Sequence, residues 1–355
     1  MLPQSKGTLV FLIALPLLLV IPLWQAAHKR PQLWAVLAAT PTSFALSNDG
    51  SLVAYSESNG QIGLWPYAGK RRTLQTDGTG AMNSSIYASA KLRFSQDSKT
   101  LLGSNIRVGD STTALCAWDA DNGRINWTTL SNYKDDFCRY WPSNDGKLAA
   151  QRSYNAVKVL DISGVGQEQD STKSSFARTF PTMGSFQARI AEPKGGSSRL
   201  QTVALSPDGK VVVGATQKGF LEFWDAKTGA HQSRSAKPTS VVSSTEWELQ
   251  YSPDGRFVAL FDGTTISVWD VAARNWSTTI VASVSPEVAL CWMPDSNSLW
   301  TGSGTVQQWS VPKLQRLRDL PIGGPVAVSG DGHTLVTRSL AASNIPGGIW
   351  KWNIG

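Results

Sequence analysis

Three histidines, three cysteines and a scatter of serines and aspartates are the side chains with which this 355-residue chain could perform acid–base, nucleophilic or metal chemistry. A serine nucleophile needs a histidine held and oriented beside it. His28 borders an apolar run, His231 falls in a link between strand-like segments, and His333 sits in a Gly-containing turn. None of them reads as an oriented base. No G-x-S-x-G elbow is present. Cys116, Cys138 and Cys291 form no CxxC and have no His at ligand spacing. An odd number in a chain this long also argues against a disulfide framework, so they read as small buried apolar residues. No phosphate loop or metal-ligand cluster is visible. The sequence therefore offers no catalytic, cofactor-binding or metal-binding residue, and no cofactor is expected.

Charge narrows the field further. Charged residues make up 17% of the chain, against roughly 25% in ordinary globular domains. The net charge is +7, but the basic residues are scattered, with Lys70-Arg71-Arg72 the only triplet. A nucleic-acid binder would concentrate them in a stripe with interleaved aromatics, so no nucleic-acid partner is expected. Asn-x-Ser/Thr sequons begin at Asn83, Asn126 and Asn275, a number that a Ser/Thr-rich chain produces by chance.

The elements that would carry any function begin with residues 8–27, which follow a short tail at 1–7. Thr8 to Trp24 read TLVFLIALPLLLVIPLW without a charge, and the run extends to Ala27. As a helix its 20 residues would span about 30 Å, a bilayer core. Membrane helices tolerate residues such as Pro16 and Pro22. Trp24 stands where an interfacial aromatic is expected, and His28-Lys29-Arg30 follow as a polar stop. The rival reading is a cleaved signal peptide with Lys6 as its basic region. The run is long for such a peptide, and Gln25-Ala26-Ala27 lacks a small-x-small cleavage pair. The expectation is a retained, single-pass anchor.

Beyond it, in 28–355, one phrase recurs seven times. An apolar strand leads through a tight Asp turn to a second apolar strand, then by a short loop to a third strand ending in an aromatic. The turns are Asp49-Gly50, Asp97-Ser98, Asp145-Gly146, Asp208-Gly209, Asp254-Gly255, Asp295-Ser296 and Asp331-Gly332. Asp-Gly between apolar runs is a strong hairpin signal, because glycine accepts the positive φ the turn demands. The third strands close on Trp65, Trp118, Leu160, Trp224, Trp269, Trp309 and Trp352, lying 14 to 16 residues after the turn Asp in five copies and 21 after it in two.

The copies at 203–210 and 249–256, which lead to Phe223-Trp224-Asp225 and Val268-Trp269-Asp270, resemble the WD-repeat family, with its Ser-Pro-Asp-Gly turn and Trp-Asp strand end. The resemblance covers about 43–355. It implies an all-β, seven-bladed β-propeller, each blade with strands a to d from the centre outwards. Such a ring must close on itself to bury its faces. The last copy stops at strand c, and Leu33 to Leu37 are placed to supply the missing outer strand of blade seven, as happens across that family. The family's Gly-His before strand a is absent, and its Asp in the b–c turn survives clearly only as Asp262. The buried His–Asp–Ser–Trp network of the family is accordingly not carried over, and packing of Trp and aliphatic side chains is expected to hold the blades.

Ala117, Asp119, Gly123 and Trp127 also match the A-x-D-x-x-x-G-x-x-x-W docking motif of pyrroloquinoline-quinone dehydrogenase propellers. The motif occurs in full once, with an echo at Asp225 to Gly229, and vicinal cysteines are missing, so it reads as a c–d hairpin. A quinoprotein-like or hydrolase-like enzyme on a propeller is the alternative function. The leading one is a membrane-anchored, non-enzymatic interaction scaffold or accessory subunit of a membrane protein complex.

Binding residues concentrate on long loops of rigid scaffolds. Two long b–c loops, 104–113 and 340–348, are expected on one face, as the docking surface for protein partners. An insertion at 163–199 must contain the outer strand of blade three, near Phe186 to Ile190. The anchor would enter on the opposite face, bringing Lys29, Arg30, Lys70, Arg71 and Arg72 near lipid headgroups. Flanking charge hardly sets topology, but the short basic tail and the low-charge, Ser/Thr-rich composition lead to a propeller outside the cytoplasm, periplasmic or lumenal.

Overall fold

The computed structural model describes residues 31–36, 41–57, 61–74, 91–108, 112–130, 139–143, 146–153, 156–163, 186–191, 200–236, 247–262, 264–277, 279–281, 289–302, 304–339 and 348–355. Within them every regular element is a β-strand, and the strands form seven antiparallel sheets.

Each sheet is one copy of the repeated phrase. In blade four, strands a to d are Leu200–Leu205, Val211–Thr216, Leu221–Asp225 and His231–Arg234, hydrogen-bonded in that order. Strand a reads Leu-Gln-Thr-Val-Ala-Leu and strand b Val-Val-Val-Gly-Ala-Thr, β-branched and small residues that fit a doubly covered pleat. Both are almost wholly buried, whereas strand d is largely exposed. Burial thus falls from the centre outwards. The apolar clusters lie between neighbouring blades: Val213, Leu221 and Phe223 of blade four pack with Leu249, Val258, Leu260 and Trp269 of blade five.

The ring closes as the sequence predicts. Blade seven takes strands a to c from Val326–Val328, Thr334–Ser339 and Gly348–Asn353. Its outer strand is Gln32–Ala35, paired as Gln32↔Lys351, Leu33↔Trp350 and Ala35↔Ile349, with a bulge between Leu33 and Ala35. The strand is thus shorter than 33–37; it begins one residue earlier and ends at Ala35. The outer strand of blade three is Phe186–Ala191, one residue longer than expected.

One expectation is overturned. Residues 104–113 are not a long b–c loop. Strands Thr100–Val108 and Thr112–Asp119 pair almost to their tips, with Ile106↔Ala114, Arg107↔Thr113 and Val108↔Thr112, after a bulge between Gly103 and Ile106. The alternating, β-branched run Ile106-Arg107-Val108 continues the ladder, and the bulge absorbs the break at Ser104-Asn105. Residues 340–347 lie outside the described residues, and Gly348 already belongs to strand c. The tail and the membrane segment at 8–27 also lie outside them. Among the described residues no helix is long and apolar enough to cross a membrane.

Candidate interaction surfaces

The a–b turns use their Ser and Asp side chains on themselves. Ser47, Ser95, Ser206, Ser252 and Ser329 donate to Asp49, Asp97, Asp208, Asp254 and Asp331 at 2.5–2.6 Å. The same carboxylate oxygen accepts the amide two residues on, as in Lys99 N at 3.1 Å and Arg256 N at 3.0 Å. The serine oxygen in turn accepts the amide that opens strand b, as in Val211 N at 2.9 Å. Hydrogen bonds to the ionised form hold the carboxyls below their usual pKa: the Ser47 hydroxyl leads at Asp49, Ser95 at Asp97 and Ser206 at Asp208. Gly50, Gly146, Gly209, Gly255 and Gly332 supply the positive φ, between 67° and 76°.

Two turns break this rule informatively. Ser98 and Ser296 stand where glycine is expected, yet adopt φ of 59° and 61°. Their hydroxyls face the neighbouring blade: Asn48 N donates to Ser98 Oγ at 2.8 Å, and Asp254 N to Ser296 Oγ at 3.1 Å. Each serine accepts a strained backbone conformation and in return links two blades. Between blades seven and one the link is main-chain, Asp331 N to Asn48 O at 2.9 Å. Here Gly330 stands where the clearest copies have proline, and a β-carbon at this position would make the Asn48 side chain turn away. Blades are therefore joined by polar turn contacts as well as by the apolar packing the sequence suggested.

The Asp that follows a closing aromatic caps the c–d turn. Asp119 accepts from Asp121 N and Asn122 N at 2.8 and 3.0 Å, and Asp225 from Lys227 N and Thr228 N at 3.0 and 2.7 Å. Gly123 and Gly229 follow with φ of 73°. The 117–127 motif is thus a c–d hairpin. The closing indoles are also more than packing: Trp309 donates to Thr301 Oγ1 at 3.0 Å and Trp352 to Thr337 Oγ1 at 2.9 Å, both across to strand b. That part of a polar blade network survives against expectation. Asp262, in the b–c turn of blade five, is buried and accepts from Thr264 N, Thr265 N and Thr265 Oγ1.

Among the described residues the histidines and cysteines stay apart. His231 opens the outer strand of blade four and meets Glu222 Oε2 at 2.8 Å, while Arg234 holds Glu222 Oε1 at 3.0 Å. His333 is exposed in the turn of blade seven, where its amide donates to Asp331. Cys116 is buried in blade two. Cys291 lies on strand a of blade six, and burial raises its thiol to about 11, keeping it protonated. His28 and Cys138 lie outside the described residues. Among the described residues no three His, Cys, Asp or Glu side chains gather as metal ligands.

Sequence reasoning missed the centre of the ring. Strand a of blade two, Lys91–Phe94, carries Lys91 and Arg93; strand a of blade five, Glu248–Tyr251, carries Glu248 and Gln250. Blades two and five are not neighbours, yet Lys91 Nζ lies 3.3 Å from Glu248 Oε2. The ion pair therefore crosses the central channel. Gln250 Nε2 donates to Glu248 Oε1 at 2.6 Å and to Leu290 O of blade six at 3.0 Å. Burial lowers the pKa of Arg93, against the opposing fields of Cys291 and Glu248. The alternating polar residues in these inner strands were the available signal, since a fully buried strand would not carry them.

The basic triplet is also redistributed. Arg71 turns inward to Glu57 at 2.8 Å and over the Tyr55 ring, and Arg72 bonds the Asp121 carbonyl of blade two. Lys70 is exposed. Beside this turn Tyr67 reaches the closing strand. It meets Trp34 edge-on at 5.2 Å, bonds Gln32, and lies 4.1 Å from Lys351 Nζ.

A cleft of about 640 Å³ opens between blades four and five on the face that carries the a–b and c–d turns. Phe223, Tyr251 and Trp269 form its aromatic lining, with Asp208, Asp254 and Arg274 also around it.

No protein-family model matches the chain. A 53-residue stretch, 15% of this chain, is 42% identical to the COMPASS component SWD3 of Saccharomyces cerevisiae, and spans 17% of that relative's length. Among solved structures, the β-propeller domain of Myceliophteria thermophila Cps50 (Swd1) superimposes with a TM-score of 0.63 at 13% identity, over 92% of this chain and all of that one. A chain of the mitotic checkpoint complex gives 0.58 at 17% identity over 92% of both. Identities this low speak for the fold alone. Turns, closing aromatics, strand order and these superpositions agree: the chain folds as a WD-repeat-like seven-bladed β-propeller.

Proposed function

We propose that this protein is a non-enzymatic interaction scaffold, tethered to a membrane through residues 8–27 and serving as an accessory subunit of a membrane protein complex. The observation that carries this reading is how the ring uses its reactive side chains. Among the described residues the Ser–Asp pairs cap turns, His231 and His333 lie on different blades, and Lys91 pairs with Glu248 across the channel. What remains for other molecules is a rigid ring with two broad faces, a platform for binding. Two of the similar proteins, a COMPASS component and a chain of the mitotic checkpoint complex, are by name subunits of assemblies, which favours the same role. The short basic tail before the apolar run and the low-charge composition favour a ring outside the cytoplasm.

The deciding experiment is affinity capture of the full chain from detergent-solubilised membranes. Stoichiometric protein partners are expected. A partnerless chain carrying a chromophore or a hydrolase activity would overturn the reading. Protease added to intact spheroplasts should digest the ring; complete protection would place it in the cytoplasm.

A further inference from the structure

We infer that the ring rests on the bilayer by its rim, along the closing strand of blade seven and the c–d turn of blade one, with Leu33, Val36 and Tyr67 set among the lipid headgroups. The inference rests on the reading of residues 8–27 as a membrane tether, and names the part of the ring that meets lipid. Among the described residues five large apolar side chains are exposed, and three of them are these, at 40%, 60% and 43%. The other two, Val281 and Leu317, lie on blades five and six. The three share one short stretch of rim. Leu33 lies on Gln32–Ala35, the outermost strand of its blade, and Val36 follows it directly. Tyr67 reaches across from blade one, bonds Gln32 and meets Trp34 edge-on at 5.2 Å. Single exposed apolar residues are ordinary on a protein surface, but a concentration of them marks a contact.

Position selects lipid as the occupant. The closing strand begins at Gln32, only a few residues after the apolar segment ends at Ala27. From Ala27 to Gln32 the chain reaches at most about 18 Å. With the segment in a bilayer, the strand therefore stays beside the headgroup layer, and a patch held this close needs little affinity of its own. Its chemistry suits that layer. Tyrosine is enriched there. Lys351 Nζ lies 4.1 Å from the Tyr67 ring centroid and 5.7 Å from that of Trp34, so its aliphatic stem follows the rings while the ammonium faces phosphate. The segments 31–36, 66–73 and 348–353 contain no Asp or Glu. Arg71 and Arg72 are engaged within the ring, with Glu57 and the Asp121 carbonyl, which leaves Lys70 and Lys351 as the cations of the patch. A face-down ring would instead press the exposed turn carboxylates of the same two blades, Asp49 and Asp331, against the phosphates.

The test uses the full chain in vesicles of phosphatidylcholine and phosphatidylglycerol that carry a lipid with a headgroup nitroxide. A bimane label is placed at Ala68→Cys, in the exposed c–d turn of blade one, or at Val281→Cys on blade five, each corrected for labelling of the parent chain. The nitroxide should quench the label at Ala68 and spare the one at Val281. Leu33→Asp with Val36→Asp, both at exposed positions, should lower the ratio of docked to free rings read at Ala68 by about tenfold or more. Val36→Asp alone, beyond the end of the closing strand, should act in the same direction and leave the melting temperature unchanged. Equal quenching of the two labels, no quenching at Ala68, or aspartates without effect would overturn the rim contact. An Ala68 label that stays unquenched yet emits as from an apolar site would put a second copy or a protein partner on the rim instead of lipid. In each of these cases a chain that still floats with the vesicles keeps the tether, so the rim alone fails. A chain that does not float with them overturns the tether and the rim contact together.

Discussion

At the scale of single residues, the turn serines separate two effects that a glycine normally hides. Ser296 is buried, left-handed and bonded to the next blade. Ser296→Ala keeps the strained backbone and loses the bond, costing about 1 kcal/mol. Ser296→Gly loses the same bond but gains a relaxed backbone, worth about 1 kcal/mol, and should unfold near the wild-type urea midpoint. Equal midpoints for the two variants would show that the φ carries no strain. The turn carboxylates make a second residue-scale prediction. Asp49, Asp97 and Asp208 all titrate below the 3.8 of a free side chain in the folded ring. As the pH falls, the unfolded chain takes up protons first. Stability from these groups is therefore complete above the unfolded value and lost as the pH falls through the folded one. The melting temperature should drop on acidification below about pH 4, and less steeply in Asp97→Asn, which keeps the acceptor but cannot titrate. An unchanged acid limb would assign acid unfolding to other groups.

At the scale of elements, a blade is held by its third strand. Trp269 closes strand c of blade five, is 3% exposed and meets Trp276 edge-on at 5.3 Å. Trp269→Ala should destabilise by about 3–5 kcal/mol through the cavity it leaves, measured by urea denaturation. His333→Ala should cost little: its side chain is exposed, and its structural contacts, to Asp331 and from Ile354 N, are main-chain. A stable His333→Ala chain that lost partner binding or any activity would show that this turn acts on other molecules.

The whole molecule depends on closing the ring. Trp34 and Ala35 are buried against Phe44, Leu46, Tyr55 and Ile349, so the closing strand joins the core of blades seven and one. Tyr67 and Lys351 clasp it from outside. Removal of residues 1–27 should leave the melting temperature of the ring unchanged. Removal of residues 1–40 deletes the strand, and loss of Trp34 alone should cost about 3 kcal/mol or more. Identical melting of the two truncations would show that Gln32–Ala35 contributes nothing to closure. The Lys91–Glu248 pair adds a strut between non-adjacent blades, and Lys91 is half exposed, so its contribution is screened by solvent.

The sequence by itself determined what is local. Ser-x-Asp-Gly turns, alternating strands, closing aromatics and the spare strand at 33–37 are readable because a hairpin is specified by its own turn chemistry and by a two-residue period. Strand order within each blade followed from them, and so did the ring. The tertiary structure alone decided which polar groups meet. Ser98 finds Asn48, Arg72 finds Asp121, and Lys91 finds Glu248 157 residues away. These meetings are set by the rotation of one blade against the next, which no spacing along the chain encodes. The same limit explains the misread 104–113 segment. A bulge let the ladder run past two polar residues, and whether a strand continues there depends on the partner strand it meets, not on its own composition.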